Sequence, residues 1–308
     1  MKIFSLAPKE NWILDRVVEE WEELKPEHCT GTPQDADLLW IVSPWLWRKV
    51  PLKQLIDKKV IVTIHHVVPE KFSKDSLREF IARDKFVDQY HTPCQKTKDF
   101  ISKITKKPIE VIGYWYNSKI WYPVDKLEAR ERLQIPPDAY VVGSFQRDTE
   151  GSDLVSPKLE KGPDLFIETL KNVGKNNLFV LLGGWRRQYV INRLNQENID
   201  FSFVELAPFD TLRDMYAACD LYVVASRVEG GPQAILEASA MKVPIVSRDV
   251  GMASAVLSSD CVIELPKEIY FPINKDIEFC YNNVKSYEMQ NLVEKYVSLF
   301  SKVVGEKI

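Results

Sequence analysis

The sequence predicts an open α/β protein built from two parallel-sheet domains. Short runs rich in Val, Ile and Leu recur along the chain without strict polar alternation, as strands buried on both faces do. Amphipathic segments of helical period fall between those runs, so strands and helices alternate almost throughout. The chain has 308 residues, 45% apolar and 28% charged, an ordinary globular composition with enough length for two domains rather than one.

In chain order, strands are expected at KIFSL (2–6), DLLWIVS (37–43), KVIVTIHH (59–66) and IEVIGYW (109–115). Helices are expected at Trp12–Leu24, Ser76–Lys85 and Lys96–Lys106. The segment WYPVDKLEARERLQIPPDAY (121–140) then places a short charged helix between Pro123 and Pro136-Pro137, and the rhythm restarts at Tyr140. A boundary there gives an N-terminal domain over 1–120 and a second domain over 121–285. In the second, strands are expected at YVVGSF (140–145), NLFVLLGG (177–184), DFSFVEL (200–206), DLYVVAS (220–226) and VPIVS (243–247), with helices at Gly162–Val173, Arg187–Glu197 and Thr211–Ala218. The last stretch, 286–308, carries Leu292, Val293, Tyr296, Val297, Leu299 and Phe300 at helical spacing. It follows a sheet that is already complete, so it is expected to cross back and complete the first domain.

Charge and cysteine usage exclude several classes. A net charge of −3 argues against a nucleic-acid binder that works through its overall field. The five cysteines, Cys29, Cys94, Cys219, Cys261 and Cys280, are scattered without a C-x-x-C pair, and read as reduced thiols of a cytoplasmic protein. The N-terminal apolar run is too short for a secretory signal, and no stretch approaches 18 uninterrupted apolar residues. Any membrane contact would be peripheral, at the inner face. GxGxxG and GxxxxGK[ST] are absent, which leaves NAD-dependent and P-loop chemistry without an anchor. The D-x-D of Asp35 and Asp37 precedes a strand and reads as a turn.

The chemistry-bearing stretch is SRVEGGPQAILEASA (226–240). Ligands of open parallel sheets bind beyond the carboxyl ends of the strands, and Glu229 follows one by three residues. Gly230 and Gly231 permit close backbone approach. Pro232 suits the first position of a helix, whose N-terminus is an anion site. Glu237 lies five residues further, roughly 7.5 Å along the axis. A nucleoside diphosphate fits that offset, with phosphate at the tip and the ribose diol against the Glu237 carboxylate. Read alone, the same stretch is also compatible with an ordinary turn and a solvated helix.

EGGPQAILE, with seven residues between its glutamates, resembles the E-x7-E motif of the retaining glycosyltransferases of family 4. LRDMYAACDLYVVASRVE upstream, LEASAMKVPIVSRDVG downstream and VVGSFQR…KGPDLFIETL further upstream extend the likeness over most of residues 138–255. The resemblance implies the GT-B fold, two Rossmann-like domains facing across a cleft, with the nucleotide-sugar donor on the second domain and the acceptor on the first. It implies that Glu237 holds the ribose and that Glu229 contacts the donor sugar beside the reacting carbon. Gly230 and Gly231 would lie at the phosphates or sugar, and Arg147 and Lys161 would neutralise the diphosphate leaving group. Ser226, Pro232, Gly183 and Gly184 join the expected donor-binding set. The family separates its Arg and Lys by about four residues. Here DTEGSDLVSPKLE intervenes, which keeps Lys158 as an alternative to Lys161. Lys242 replaces a family glycine.

In the first domain, His65 aligns with a histidine that the family places near the donor sugar, and a neutral imidazole could hydrogen-bond a sugar hydroxyl or the leaving phosphate. His66, Trp45 and Trp47 are acceptor candidates, since aromatic faces stack on sugars. Trp45 and Trp47 beside Arg48, Lys49 and Lys53 also suit an anionic lipid surface. Residues 1–120 hold 20 Lys and Arg against 17 Asp and Glu, a surplus of three positive charges in a chain of net −3. The expected activity is metal-independent, retaining transfer of a sugar from a UDP- or GDP-sugar to a hydroxyl of a glycan or lipid-linked acceptor. A sugar-nucleotide epimerase, a phosphorylase of the same fold and a non-catalytic nucleotide-sugar binder are the alternatives.

Overall fold

A computed structural model describes residues 1–10, 13–151 and 153–305. Trp12, the expected start of the first helix, Ser152 of the polar insertion and the last three residues of the expected closing stretch 286–308 lie outside the described residues. The chain forms two compact units: Met1–Tyr114 together with the chain from Gln290, and Trp115–Met289.

The first unit runs β1 (Ile3–Leu6), α1 (Ile13–Leu24), β2 (Leu38–Ile41), α2 (Leu52–Asp57), β3 (Lys59–Thr63), α3 (Lys74–Asp84), β4 (Gln89–Thr92), α4 (Gln95–Ile101) and β5 (Ile109–Val111). Its five strands are parallel and lie in the order β1-β2-β3-β4-β5. One face buries Leu39, Ile41, Val60 and Val62 against Leu55 of α2, Phe80 of α3 and Ile101 of α4. Alternation sends Trp40 of β2 to the other face, against Trp21 of α1 with ring centroids 6.0 Å apart. The Ser73 hydroxyl accepts the Ser76 N–H at 3.2 Å and so starts α3 as a capping box.

The second unit continues with α5 (Lys126–Arg132), β6 (Tyr140–Phe145), α6 (Pro163–Asn172), β7 (Leu178–Gly184), α7 (Gln188–Glu197), β8 (Asp200–Glu205), α8 (Phe209–Ala218), β9 (Leu221–Val224), α9 (Gln233–Ala240), β10 (Ile245–Ser247), α10 (Ala253–Val256) and α11 (Asn274–Val284). The Asp125 carboxylate caps α5 by accepting the Leu127 and Glu128 N–H groups at 2.9 and 3.0 Å. The sheet order is β10-β9-β6-β7-β8, all parallel. β6 therefore sits between strands reached in opposite directions, and the topological switch point lies between β6 and β9. The closing helix α12 (Met289–Val304) lays Tyr296 and Phe300 on Trp40 at 5.7 and 5.3 Å, within the first unit.

Nine of these strands fall on the segments that apolar clustering picks out; β4, sequence QYHT, does not. Its Gln89, His91 and Thr92 are buried polar side chains. His91 is satisfied on both sides: Nε2–H donates to Ile112 O at 2.8 Å, and Nδ1 accepts the Thr63 hydroxyl at 3.0 Å. Thr63 in turn accepts from Trp40 Nε1 at 3.0 Å. Hydrogen bonding inside the core thus replaces the apolar signature on which strand recognition depends.

Candidate active site

The second sheet's switch point directs three strand ends to one place. β6 delivers Gln146 and Arg147, β9 delivers Ser226 to Glu229, and β7 delivers Gly183, Gly184 and Trp185. Lys161 comes from the 3-10 turn Leu159–Lys161 that precedes α6.

Glu229 and Lys161 form the centre. Lys161 Nζ stands 2.6 Å from Glu229 Oε1, with side chains only 17% and 9% exposed, and the Ser226 hydroxyl donates to the same oxygen at 2.9 Å. Two backbone contacts hold the loops together: Arg227 and Val228 N–H donate to Glu160 O at 2.8 and 3.1 Å. The Arg227 guanidinium grips Asp164 through two bonds of 2.7 and 2.6 Å. Gly162 makes the approach possible. It has φ +62°, and a Cβ there would lie 2.0 Å from Ala225 O. Gln146 Nε2 adds a bond to Lys161 O at 2.9 Å. Lys158 lies 3.7 Å from the Glu160 carboxylate.

Arg147 is half-buried and makes no ion pair among the described residues. Its Nε donates to Thr149 O at 2.8 Å, and its guanidinium lies 5.1 Å from the Trp185 ring centroid. The polar insertion after it is a small hairpin. Thr149 bridges Pro157 in antiparallel fashion, and Glu150 N–H donates to Ser156 O at 2.9 Å. A fully buried ion pair pins its base, with Arg187 Nε 2.8 Å from Asp148 Oδ2. Arg187 Nη1 also donates to Gly183 O at 2.8 Å and to Ser144 O. Burial pushes the Asp148 carboxyl up while the Arg187 guanidinium pulls it down.

Pro232, φ −63° and ψ 117°, is the N-cap of α9 rather than its first helical residue, so the helix starts one position later than expected. Gly230 is buried and Gly231 half-buried in the turn before it. Glu237 is buried, and the Tyr216 hydroxyl of α8 donates to its Oε2 at 2.8 Å. Burial and the Glu237 charge hold the Tyr216 phenol well above its ordinary range, so it remains the donor. Tyr216 packs on Phe145 and Tyr222 with centroids 4.8 and 5.2 Å away.

The first unit holds the remaining candidates. His65 uses both ring nitrogens internally: Nε2–H donates to Val42 O at 2.6 Å, and Nδ1 accepts from the Tyr114 hydroxyl. Burial pushes it down to about 3, so the ring is neutral. His66 is exposed at a cavity rim. Trp45 is 57% exposed. Trp47 is buried, stacked on Phe86 at 5.8 Å with the Arg48 guanidinium 4.5 Å from its ring, so its faces are taken. Tyr216, Gln146, Trp185 and the Asp148–Arg187 pair were not among the expected site residues. Gln146 and Asp148, on either side of Arg147, carried a local signal.

The two parallel-sheet units have the GT-B fold. HepE of Anabaena, crystallised with UDP, matches with a TM-score of 0.76 and 16% identity over 98% of this chain and 100% of that one. Its crystal with UDP-glucose gives 0.75 and 14% over 97% and 99%. Sucrose-phosphate synthase of Thermosynechococcus elongatus gives 0.70 and 16% over 97% and 81%. Residues 153–269 match the family model described as Glycosyl transferases group 1. No curated protein matches the sequence. The family-model match lies within the second unit and takes in Lys161 and the whole stretch from Glu229 to Glu237.

Proposed function

We propose that the chain is a retaining hexosyltransferase that takes its sugar from a UDP-hexose and passes it to a hydroxyl of a glycan or lipid-linked acceptor. The observation that carries this reading is the Glu229–Lys161 pair at the switch point, with Arg147 delivered by the strand next to it. The diphosphate would lie at Arg147, Lys161 and the first turn of α9, exchanging the Lys161–Glu229 contact for a phosphate–Lys161 one. Glu237, held by Tyr216, would take the ribose diol, and the backbone around Ala207–Phe209 would face the base. Released from Lys161, Glu229 would face the sugar. HepE, whose crystals hold UDP and UDP-glucose, favours uridine as the base.

In the step itself, the bond from the anomeric carbon to the β-phosphate oxygen breaks as the acceptor oxygen bonds the same face of that carbon. The acceptor proton passes to the departing phosphate. Charge grows on that phosphate, so fixed cations in a site shielded from water are the main catalytic requirement, and no metal is needed. His65, neutral and tied to Val42 and Tyr114, would shape the acceptor-holding unit rather than move a proton.

A thermal-shift screen against UDP, GDP, ADP and their sugars tests the donor. A selective nucleotide at 100 times its dissociation constant stabilises the protein by about 2.7 kcal/mol. No shift with any nucleotide would sink the reading. The anomeric configuration of the product, read by NMR, tests retention. Trp45, Leu52 and Ile56, 57%, 58% and 66% exposed beside Lys49 and Lys53, support peripheral membrane contact. Co-sedimentation with anionic vesicles at low salt tests it, and no binding there removes it.

A further inference from the structure

The first unit contains a cavity of about 290 Å³ at the carboxyl end of β3, beside α3. Ile64, Phe72 and Phe80 give it apolar walls, and His66, Lys71 and Arg83 supply polar groups. Arg83 is the unusual member. It is 7% exposed and forms no ion pair among the described residues. Its Nε has no hydrogen-bond partner, and Nη1 reaches Pro44 O only at a long 3.5 Å. The Phe80 ring centroid lies 4.8 Å from the guanidinium carbon, which fixes the plane of the group without neutralising it. The neighbouring Glu79 is about half exposed and forms its ion pair with Arg48 at 2.7 Å, so it reaches Arg83 only as a more distant charge, and the Tyr90 ring centroid lies 6.0 Å from the Arg83 guanidinium carbon.

A buried charge is normally paired, because an unpaired one is costly. A guanidinium left unpaired at a cavity wall presents donors in a fork that matches two oxygens of one anionic group. We propose that this cavity is an anion subsite that binds a phosphate or carboxylate on the acceptor, gripped by Arg83, with the acceptor's apolar or sugar portion against Phe72 and Phe80. The acceptor is thereby an anionic glycan or glycolipid rather than a neutral one. The identity of the molecule that carries the anion rests on the acceptor role proposed for this unit; the anion site itself does not.

Calorimetric titration of the full chain with glucose 6-phosphate, glucuronate and glucose, at one ionic strength, tests it. The wild type is expected to bind at least one anionic sugar about tenfold tighter than glucose, and which one separates phosphoryl from carboxylate recognition. Arg83→Met is expected to abolish that preference and leave UDP binding unchanged. Should Arg83→Met fail to fold, Arg83→Lys, which keeps the charge but loses the fork, is expected to reduce the preference at least threefold. A wild type without the preference, or a folded variant that keeps it in full, overturns the proposal. A protein that binds the anionic sugar but no nucleotide would retain the subsite and lose the transferase reading.

Discussion

A buried phenol and a buried carboxylate meet at Tyr216 and Glu237, and removing one partner leaves the other without its hydrogen bond. Tyr216→Phe keeps the packing on Phe145 and Tyr222 but withdraws a donor from a charged acceptor, worth about 1.5 kcal/mol. The KM for the nucleotide sugar is expected to rise roughly tenfold with kcat within about twofold, because ribose binding is the same in ground and transition states; steady-state kinetics decides, and an unchanged KM would separate Glu237 from the ribose. Arg147 belongs to the opposite class. In the proposed reaction its charge acts as the leaving group departs, so Arg147→Ala should lower kcat about 100-fold and weaken UDP while sparing uridine. Trp185→Ala, which only loosens Arg147, should weaken UDP up to about fivefold. In the first unit, His91 is neutral because burial pushes it down to about 4. The unfolded chain takes up that proton near pH 6.5 and the folded chain does not. The His91 contribution is therefore complete above pH 6.5 and is lost between 6.5 and 4 at about 1.4 kcal/mol per pH unit. Urea denaturation at pH 7 and pH 5 should show a shallower pH slope for His91→Gln than for the wild type; equal slopes refute the assignment.

At the scale of elements, the strands of the second sheet were legible because each is built around Val, Leu, Ile or Phe between helical segments, and the switch point followed from their order once pairing was known. Glu229 and Glu237 were legible because one strand, one turn and one helix carry both. Lys161 against Lys158 was not decidable from spacing, since the hairpin between Arg147 and Lys161 folds back on itself. Its base is set by Arg187, 39 residues from Asp148, and no local pattern reports such a contact. Trp47 looked like a companion to Trp45, yet the 3-10 turn Pro44–Lys49 sends one indole outward and the other into the core. The loop joining β6 to α6 depends most on Gly162. Gly162→Ala combines a left-handed backbone with a Cβ 2.0 Å from Ala225 O. A loss of roughly 2–4 kcal/mol is expected, together with lost UDP binding, checked by urea denaturation and calorimetry. Near wild-type values would mean that the Lys161 loop is free to move.

At the scale of the whole molecule, the two units differ in how the chain builds them. The second is one continuous stretch, Trp115–Met289, whereas the first is assembled from the chain's beginning and its end. The aromatic cluster of Trp21 and Trp40 is closed by Tyr296 and Phe300, which α12 supplies. The segments that link the units run together, since Tyr116 N–H donates to Tyr287 O at 3.0 Å and Met289 N–H to Tyr116 O at 2.9 Å. That arrangement reverses the usual vectorial order of synthesis, in which the N-terminal domain folds first. Residues 115–289 can complete their core while the ribosome still holds α12, and the first 114 residues must wait with one sheet face covered by α1 alone. A chain stalled before Gln290 is thus expected to show a protease-resistant second unit and a protease-sensitive first one, and release of α12 is the event that closes the molecule.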